Sequence, residues 1–318
     1  MCYNETSEWN KNGVFGSRAN ELQRSAASCY NRGVNYIARA KKFRTKKRLG
    51  QNFLVDESVI EEILSNVGAD DNVLEIGSGI GFVTEGLVGV AKSVRAIELD
   101  EDAIKILKAT CHEAKIIHQD ILKTDLSALL PVAAGGGRGG AAAQKFKVIA
   151  NIPYYITSPI LVHLLGEIDE AEHKNRAAID EIILMVQLEV AKRLVASENS
   201  PNKEYGMLSI LAQFYADVEI IRTVKARSFY PAPKVDSALV RLKIRPEGRV
   251  EVNPFLKRTV KAAFATRRKN IKNSLMQGGF LNVEKVLAEL GIDQNIRGEK
   301  LSIEQFERLS RKLYENQG

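Results

Sequence analysis

The sequence predicts an α/β protein in which a doubly wound, seven-stranded and mostly parallel sheet is followed by a small all-α domain. Strand-like and helix-like patterns alternate from about residue 57 to residue 194, and this βαβ rhythm is typical of a parallel sheet covered by helices. From about Glu251 onwards the patterns are wholly helical and rich in basic residues. At 318 residues, 45% of them hydrophobic, the chain is long enough for two such domains.

The alternating region begins with a helix over 57–67, where apolar side chains recur at helical spacing. Further helices are predicted at 82–90, at 103–109 and up to residue 194. Short apolar runs predict the first five strands at 73–76, 93–99, 115–118, 145–150 and 182–186.

The last two strands, 218–224 and 237–244, have no helical pattern between them. We expect them to form a hairpin that closes one end of the sheet. The proline-rich turn Tyr230-Pro231-Ala232-Pro233 joins them.

The domain boundary is predicted next to Pro246-Glu247-Gly248, which gives domains 41–246 and 247–318. Residues 1–40 are polar and irregular, so we expect a poorly ordered N-terminal extension. The run 133–143 is low in complexity and rich in glycine, which is typical of a flexible surface loop. Four helices are predicted in the C-terminal domain, over 255–264, 269–276, 283–290 and 302–314.

The composition argues against several classes of protein. No apolar run is long enough to span a membrane, and the N-terminus lacks the pattern of a secretory signal. Three widely spaced cysteines without a CxxC pair argue against a zinc site and against a disulfide framework. We therefore expect a cytoplasmic protein without a metal, and nothing in the sequence demands more than a monomer.

Basic residues form two clusters within a net charge of +7. One is the run Lys41 to Arg48, and the other is Arg267-Arg268-Lys269. Such runs are commonly solvated faces, and the first also fits a disordered basic arm. The alternative, which we favour, is a surface that contacts the phosphates of a nucleic acid.

A glycine-rich turn follows the first predicted strand, with Gly77, Gly79 and Gly81 in the spacing G-x-G-x-G. Glycines there allow a tight turn and bring backbone N–H groups close to a ligand. The dinucleotide motif is G-x-G-x-x-G, so this spacing favours a ligand without a pyrophosphate, such as S-adenosylmethionine (SAM). A nicotinamide dehydrogenase would need the third glycine one place later, and no hydride-transfer site is visible.

Carboxylates follow the next two strands. Glu98 ends the second strand, where it can accept hydrogen bonds from ribose hydroxyls, although nicotinamide enzymes use the same device and a solvent-exposed acid is an equally simple interpretation. After the third strand, Asp120 can take an adenine amino group, with Ile121 against the ring. The carboxyl ends of parallel strands meet at one edge of a doubly wound sheet, where ligands bind.

The run Asn151-Ile152-Pro153-Tyr154 follows the fourth strand and suits the activation of an exocyclic amine on a flat base. The lone pair of such an amine is delocalised into the ring, so a general base alone helps little. The Asn151 side-chain oxygen and the Pro153 carbonyl can each accept one N–H hydrogen bond and draw the nitrogen towards tetrahedral geometry. The Tyr154 ring can stack on a base that has left its helix. Taken alone, the run is also an ordinary strand end at an Asn-x-Pro turn.

Together these segments resemble the ribosomal RNA adenine N6,N6-dimethyltransferases, the KsgA family, from about Lys46 to the C-terminus. The chain is more similar to the small-subunit enzymes than to the erythromycin-resistance methylases. The resemblance implies a Rossmann-like, class I SAM-dependent methyltransferase domain and a helical RNA-binding domain. It is carried by the glycine turn together with Arg48-Leu49-Gly50-Gln51-Asn52-Phe53-Leu54, Ile97-Glu98-Leu99-Asp100, Asn151-Ile152-Pro153-Tyr154 and Phe229-Tyr230-Pro231-Ala232-Pro233-Lys234-Val235-Asp236-Ser237.

The resemblance also implies roles for single residues. Asn151 would serve both the cofactor and the target amine, and Tyr154 and Phe229 would sandwich the flipped adenine. Without the resemblance, Phe229 is better explained as an aromatic packed at a proline-rich turn, and Asn52 as a helix cap or turn residue. The residues implied to bind the cofactor are Gln51, Asn52 and Leu54, which would close over it, Gly77 and Gly79 at its methionine end, Glu98 at its ribose and Asp120 with Ile121 at its adenine.

The implied reaction is dimethylation at N6 of two adjacent adenosines in a hairpin loop near the 3′ end of 16S rRNA, with SAM as cofactor. The implied partner is the assembling 30S subunit. Two alternatives stay open: methylation of an adenine in 23S rRNA, as in macrolide resistance, and a non-catalytic RNA-binding assembly factor.

Overall fold

The computed structural model describes residues 35–130, 144–201, 204–245, 247–266 and 268–316. The predicted flexible loop at 133–143 and most of the predicted extension, residues 1–34, lie outside these ranges. Residues 36–40 are a correction to that extension, because they lie in a helix that begins at Tyr36. The side chains of Tyr36 and Ala40 are buried, which a sparse apolar pattern in the sequence did not indicate.

A central sheet of seven strands and a separate pair of two-residue strands form the β structure of the described residues. The predicted seven-stranded, mostly parallel sheet is confirmed. The small pair, which was not predicted, consists of β1 and β8. The strands are β1 Phe53–Leu54, β2 Asn72–Ile76, β3 Ser93–Glu98, β4 Lys115–His118, β5 Phe146–Asn151, β6 Ile179–Gln187, β7 Ala216–Val224, β8 Phe229–Tyr230 and β9 Ser237–Ile244.

The central sheet has the order β4-β3-β2-β5-β6-β9-β7. Strands β2 to β6 are parallel to one another, whereas β9 is antiparallel to both β6 and β7. The predicted hairpin at one end of the sheet is therefore present. Strand β2 lies between β3 and β5, so the carboxyl ends of these three strands are adjacent.

Helices precede, alternate with and follow the strands, and the four predicted C-terminal helices are confirmed. Helices α5 and α8 were not predicted, because both are apolar on nearly all sides and show little helical periodicity. The helices of the described residues are α1 Tyr36–Lys42, α2 Glu57–Ser65, α3 Phe82–Val90, α4 Glu101–Thr110, α5 Thr157–Leu165, α6 Lys174–Ala177, α7 Leu188–Val195, α8 Met207–Tyr215, α9 Leu256–Ala265, α10 Ile271–Gln277, α11 Val283–Glu289 and α12 Ile303–Glu315. In the part of the chain so described, no helix is long and apolar enough to cross a membrane.

The two faces of the sheet belong to two hydrophobic cores, because successive side chains of a strand point to opposite faces. In β5, Ile149 belongs to the core that includes helices α1 to α4, whereas Val148 and Ala150 belong to the core that includes helices α5 to α12, apart from the short α6. The core that contains Val148 and Ala150 is continuous from the sheet into the C-terminal helices. Tyr205 meets the Phe264 ring of α9 edge to face at 6.0 Å, and Phe264 in turn packs against Phe306 of α12 at 5.9 Å.

We expect Phe306→Ala to lower the free energy of unfolding by about 3–5 kcal/mol, because the ring is fully buried and its removal leaves a cavity. Since the core is continuous, urea unfolding followed by far-UV circular dichroism should stay a single transition with a lower midpoint. Met276→Ala is the control, because that side chain is largely exposed. Two separate transitions, only one of them shifted by Phe306→Ala, would contradict this view.

Candidate active site

The glycine turn at the end of β2 is pressed between the ends of the two neighbouring strands. Gly77 N donates to the Ile97 carbonyl of β3 at 2.9 Å. On the other side, a Cβ on Gly77 would lie 3.1 Å from the backbone oxygen of Asn151 in β5. Gly77 and Gly79 have φ angles of 74° and 55°, values that other residues rarely adopt. Glycine is therefore required there by both conformation and space.

Glu98 lies at the end of β3 with its carboxylate turned towards that turn. Gly79 N donates to Glu98 Oε2 at 2.7 Å, while the N–H groups of Leu99 and Asp100 donate to Oε1 at 2.8 Å. The side chain is buried but lines the cavity. A carboxylate has about four acceptor positions, so these three bonds leave capacity for a ligand hydroxyl.

A second buried carboxyl, Glu75 of β2, lies beneath the turn and was not predicted as a site residue. Thr84 Oγ1 donates to Glu75 Oε2 at 2.5 Å. Burial, together with the nearby charge of Glu98, raises the pKa of Glu75 to about 7, although the hydrogen bonds to it oppose the shift. The sequence signal was only an acidic residue inside an apolar strand.

Asp120 and Ile121 follow β4, the next strand out from β3. Asp120 Oδ1 accepts a hydrogen bond from Leu122 N at 3.0 Å and caps the short 3₁₀ turn Ile121–Lys123. The Ile121 side chain is buried and lines the cavity beside the half-buried Asp120. The carboxylate and the apolar surface predicted for an adenine ring are thus neighbours.

Asn151 ends β5 on the opposite side of the glycine turn. Its Nδ2 donates to the Asn52 carbonyl at 3.4 Å, and within the described part of the chain no donor reaches its Oδ1. The Pro153 carbonyl accepts a hydrogen bond from Ile156 N at 3.1 Å. A carbonyl oxygen has two lone pairs, so one acceptor position on Pro153 is left for a substrate.

The Tyr154 ring is half-buried, and its hydroxyl lies 2.5 Å from Ser237 Oγ at the start of β9. Ser237 is fully buried, so this contact fixes the outer end of the ring. Burial raises the pKa of the Tyr154 hydroxyl against the opposing effect of Ser237, which keeps the phenol neutral at physiological pH.

Phe229 is the one predicted site residue that the structure does not bring into the cavity. It lies opposite Leu54 in the β1–β8 pair and is 3% exposed, so its ring has no free face for a base. The bonds that hold it there run from Val55 N to the Ser228 carbonyl and from Ser228 Oγ to Asp56. Phe229 is therefore an aromatic residue packed at a proline-rich turn, which is the interpretation that the residues alone suggested.

Residues 49–54, which end with β1, form the wall of the cavity that faces the strand ends. Asn52 Nδ2 donates to the Gly50 carbonyl at 3.0 Å, a local turn contact, while Asp56 caps helix α2. Both polar atoms of the Gln51 amide are hydrogen-bonded: Oε1 accepts from Lys46 N, and Nε2 donates to Asp100 Oδ2. All three of the residues predicted to close over a cofactor, Gln51, Asn52 and Leu54, line the cavity.

One cavity collects every predicted site residue except Phe229. It runs from the wall of residues 49–54 across the glycine turn to the run after β5, and it is also lined by the 50% exposed Leu99 and the 65% exposed Tyr155. Within the described ranges no cluster of three or more His, Cys, Asp or Glu side chains is placed to hold a metal ion. The predicted residues it contains are Gln51, Asn52, Leu54, Gly77, Gly79, Glu98, Asp120, Ile121, Asn151, Pro153 and Tyr154.

Comparison with known proteins gives consistent results over most of the chain. Residues 42–315 match the family described as "Ribosomal RNA adenine dimethylase". The chain is 40% identical over 278 residues to the "Ribosomal RNA small subunit methyltransferase A" of Clostridioides difficile (strain 630), which covers 84% of this chain and 90% of that protein.

Two solved structures share the fold. A dimethyladenosine transferase from Plasmodium falciparum superposes with a TM-score of 0.66 at 24% identity, covering 83% of this chain and 98% of that one. The 23S rRNA methyltransferase ErmE gives a TM-score of 0.57 at 26% identity, covering 83% of this chain and all of that one. The class I methyltransferase architecture that the resemblance implied is therefore shown.

We expect Glu75→Gln to be more stable than the wild type above pH 7 and to lose that advantage in weak acid. The folded protein holds the Glu75 proton up to about pH 7, whereas the unfolded chain releases it near 4.5. The contribution of Glu75 to wild-type stability therefore falls as the pH rises between these values, by up to about 3 kcal/mol, and the variant lacks this contribution.

Urea unfolding at about pH 5 and about pH 8 measures the effect. Glu113→Gln is the control, because that side chain is exposed. An equal difference between Glu75→Gln and wild type at both pH values would show that Glu75 titrates normally.

Proposed function

Because the chain belongs to the ribosomal RNA adenine dimethylase family, we propose that it transfers methyl groups from SAM to N6 of two adjacent adenosines. The target is a hairpin loop near the 3′ end of 16S rRNA in the assembling 30S subunit. The observation that carries this proposal is the meeting of Asn151, Pro153 and Tyr154 with the Gly77 turn in one cavity. The amine-binding groups and the cofactor turn are then close enough for direct transfer.

The residues at the strand ends fit SAM as the methyl donor. Gly77 and Gly79 line the cavity and carry no side chain, so the backbone of the turn can approach the methionine end closely. Glu98 has acceptor capacity left for ribose hydroxyls, and Asp120 with Ile121 suits an adenine. Bound SAM would supply a methyl group already activated by the positive charge of its sulfonium.

The chain's own contribution to the reaction is to hold the target amine. Asn151 Oδ1 and the second lone pair of the Pro153 carbonyl each accept one N–H of the adenosine amine. Tyr154, held at its hydroxyl by Ser237, supplies one flat face for the flipped base. Orientation of this kind can contribute about 7–11 kcal/mol to a reaction in favourable cases. The predicted role of Phe229 on the other face of the base would require its ring to leave the core.

The surface around the cavity suits RNA. Five of the basic side chains between residues 41 and 48 are exposed and form no ion pair within the described residues: Lys41, Lys42, Arg44, Lys47 and Arg48. A loop adenosine is a sensible target, since RNA loops present splayed bases while RNA helices are read through shape and phosphates. We infer that residues 247–318 add to this surface, and that the protein acts as a cytoplasmic monomer.

A second candidate function is methylation of an adenine in 23S rRNA. It is favoured by the structural similarity to ErmE, which covers 83% of the chain, the same share as the dimethyladenosine transferase covers. The two functions share the cavity and differ in the ribosomal particle that is recognised.

Asn151→Ala is expected to reduce methyl transfer by about 100-fold or more, because the amine loses one of its two acceptors and its orientation. The measurement uses radiolabelled SAM with unmethylated 30S particles, 50S particles and naked 16S rRNA, followed by nucleoside analysis for dimethyladenosine. Wild-type protein should label 30S particles.

Asn199→Ala serves as the matched control, because that side chain is exposed and lies outside the cavity. Labelling of 50S particles alone would transfer the assignment to 23S rRNA. Labelling of 30S that Asn151→Ala leaves unchanged would refute the mechanism, and no labelling with the wild type would favour a non-catalytic assembly factor.

A further inference from the structure

We propose that Lys46 is a positioning residue for the methyl donor: through Asp100 it latches residues 49–54, one wall of the cavity, to the turn after β3. This latch rests on the proposed function, since it assigns the wall to a SAM site. Lys46 itself does not line the cavity. Its effect on the ligand is therefore exerted through Gln51 and the wall.

Three side chains form the latch: Lys46 and Gln51, which are near each other in the chain, and Asp100, which lies about 50 residues further on. Lys46 Nζ donates to Asp100 Oδ1 and, at 2.7 Å, to Asp102 Oδ2. Gln51 Nε2 donates to the other oxygen of Asp100 at 2.7 Å, and Gln51 Oε1 accepts from Lys46 N at 2.8 Å. Lys46 and Gln51 thus hold each other as well as the carboxylate between them.

Asp100 is the fixed side of the latch. Its side chain is fully buried, and it caps helix α4 by accepting a hydrogen bond from Asp102 N at 3.0 Å. Burial alone would raise the pKa of the Asp100 carboxyl, yet the hydrogen bonds from Lys46, Gln51 and Asp102 N lower it below its ordinary value. The carboxylate therefore keeps its charge and needs its cation, because an unpaired buried charge is costly.

The wall that this latch holds contacts several parts of the cavity. Gln51 is bonded to Asp100 beside Glu98. A Cβ on Gly50 would meet Pro153 Cβ at 3.0 Å, next to the groups proposed to face the target amine. The Phe53 ring lies so close to the glycine turn that a Cβ on Gly79 would meet it at 2.9 Å. Loosening the wall would therefore disturb the donor side and the amine side of the cavity together.

Lys46 differs from its neighbours in the same basic run. Lys47 and Arg48 are exposed and make no ion pair within the described residues, whereas Lys46 turns inward to two carboxylates. The run is thus divided between an outer surface that suits RNA and one inward lysine. Lys47→Met is a matched control for Lys46→Met, because it removes the same charge from the adjacent position.

Without the latch, only part of the protein population would hold the wall in place, and the apparent affinity for a ligand falls in proportion to that fraction. We expect Lys46→Met to weaken SAM binding by about tenfold in isothermal titration calorimetry, and Lys47→Met to change it by less than about twofold. Lys46→Arg should restore most of the affinity. In methylation assays the loss should fall mainly on KM for SAM rather than on kcat, as expected for a residue that holds the binding site.

Hydrogen exchange measured without SAM tests the latch independently of the proposed function. Leu49 N and Gly50 N donate to the carbonyls of Lys46 and Lys47 in the turn that carries the wall. Hydrogen exchange at these two amides should be faster in Lys46→Met than in Lys47→Met. Asp100→Asn is the second variant, since Asn keeps both the size of the side chain and the helix cap, and thermal unfolding confirms that each variant is folded.

Equal SAM affinity and equal amide exchange in Lys46→Met and Lys47→Met would overturn the latch. A wild-type protein that does not bind SAM would overturn the proposed function instead, and faster exchange in Lys46→Met would then still establish the latch as a property of the fold.

Discussion

The site depends on the constraint that the chain leaving β2 must pass between the ends of two parallel neighbours. Gly77 N donates to the Ile97 carbonyl on one side, and on the other side a Cβ would lie only 3.1 Å from the backbone oxygen of Asn151. A larger residue would force Asn151 to give by a few tenths of an ångström from the position that the pairing of Ile76 with Ala150 sets. The distance between the glycine turn and Asn151 is therefore set by the sheet rather than by a flexible loop.

The wall opposite the strand ends is fixed by packing as well as by the latch. Phe53 meets Phe43 and Phe82 edge to face at 5.5 and 6.3 Å, so the wall shares a core with helix α3. Helix α1 joins the same core, because Tyr36 contacts Phe82 at 4.9 Å and Arg39 pairs with Glu85. The residues just before the basic run thus pack in the same core as the wall, and the side chains proposed to contact RNA follow directly after them.

The sheet and most of the cavity were predictable from the sequence because both follow from local patterns. Strands and helices appear as apolar periodicity, and a residue that ends a strand must lie at the ligand edge of a parallel sheet, as Glu98, Asp120 and Asn151 do. What local patterns do not contain is pairing between distant segments. The β1–β8 pair that buries Phe229 joins residues far apart in sequence, and so does the contact of Lys46 with Asp100. Helices α5 and α8 escaped prediction for a different reason, since a helix buried on most sides loses its periodic signal.

Four carboxyl groups lie in or beside the cavity, and they differ in burial and in hydrogen-bond partners. Glu75 is buried deeply enough to keep its proton near neutral pH, and the cation of Lys46 balances Asp100. Glu98 is held by three backbone N–H groups, while the half-buried Asp120 has one. Glu75 thus keeps its proton below about pH 7 and Asp100 is paired with Lys46, so Glu98 and Asp120 are the acidic side chains left to face a ligand. Such a cavity would suit the cationic cofactor proposed for it, without the repulsion that four free carboxylates would impose on the folded chain.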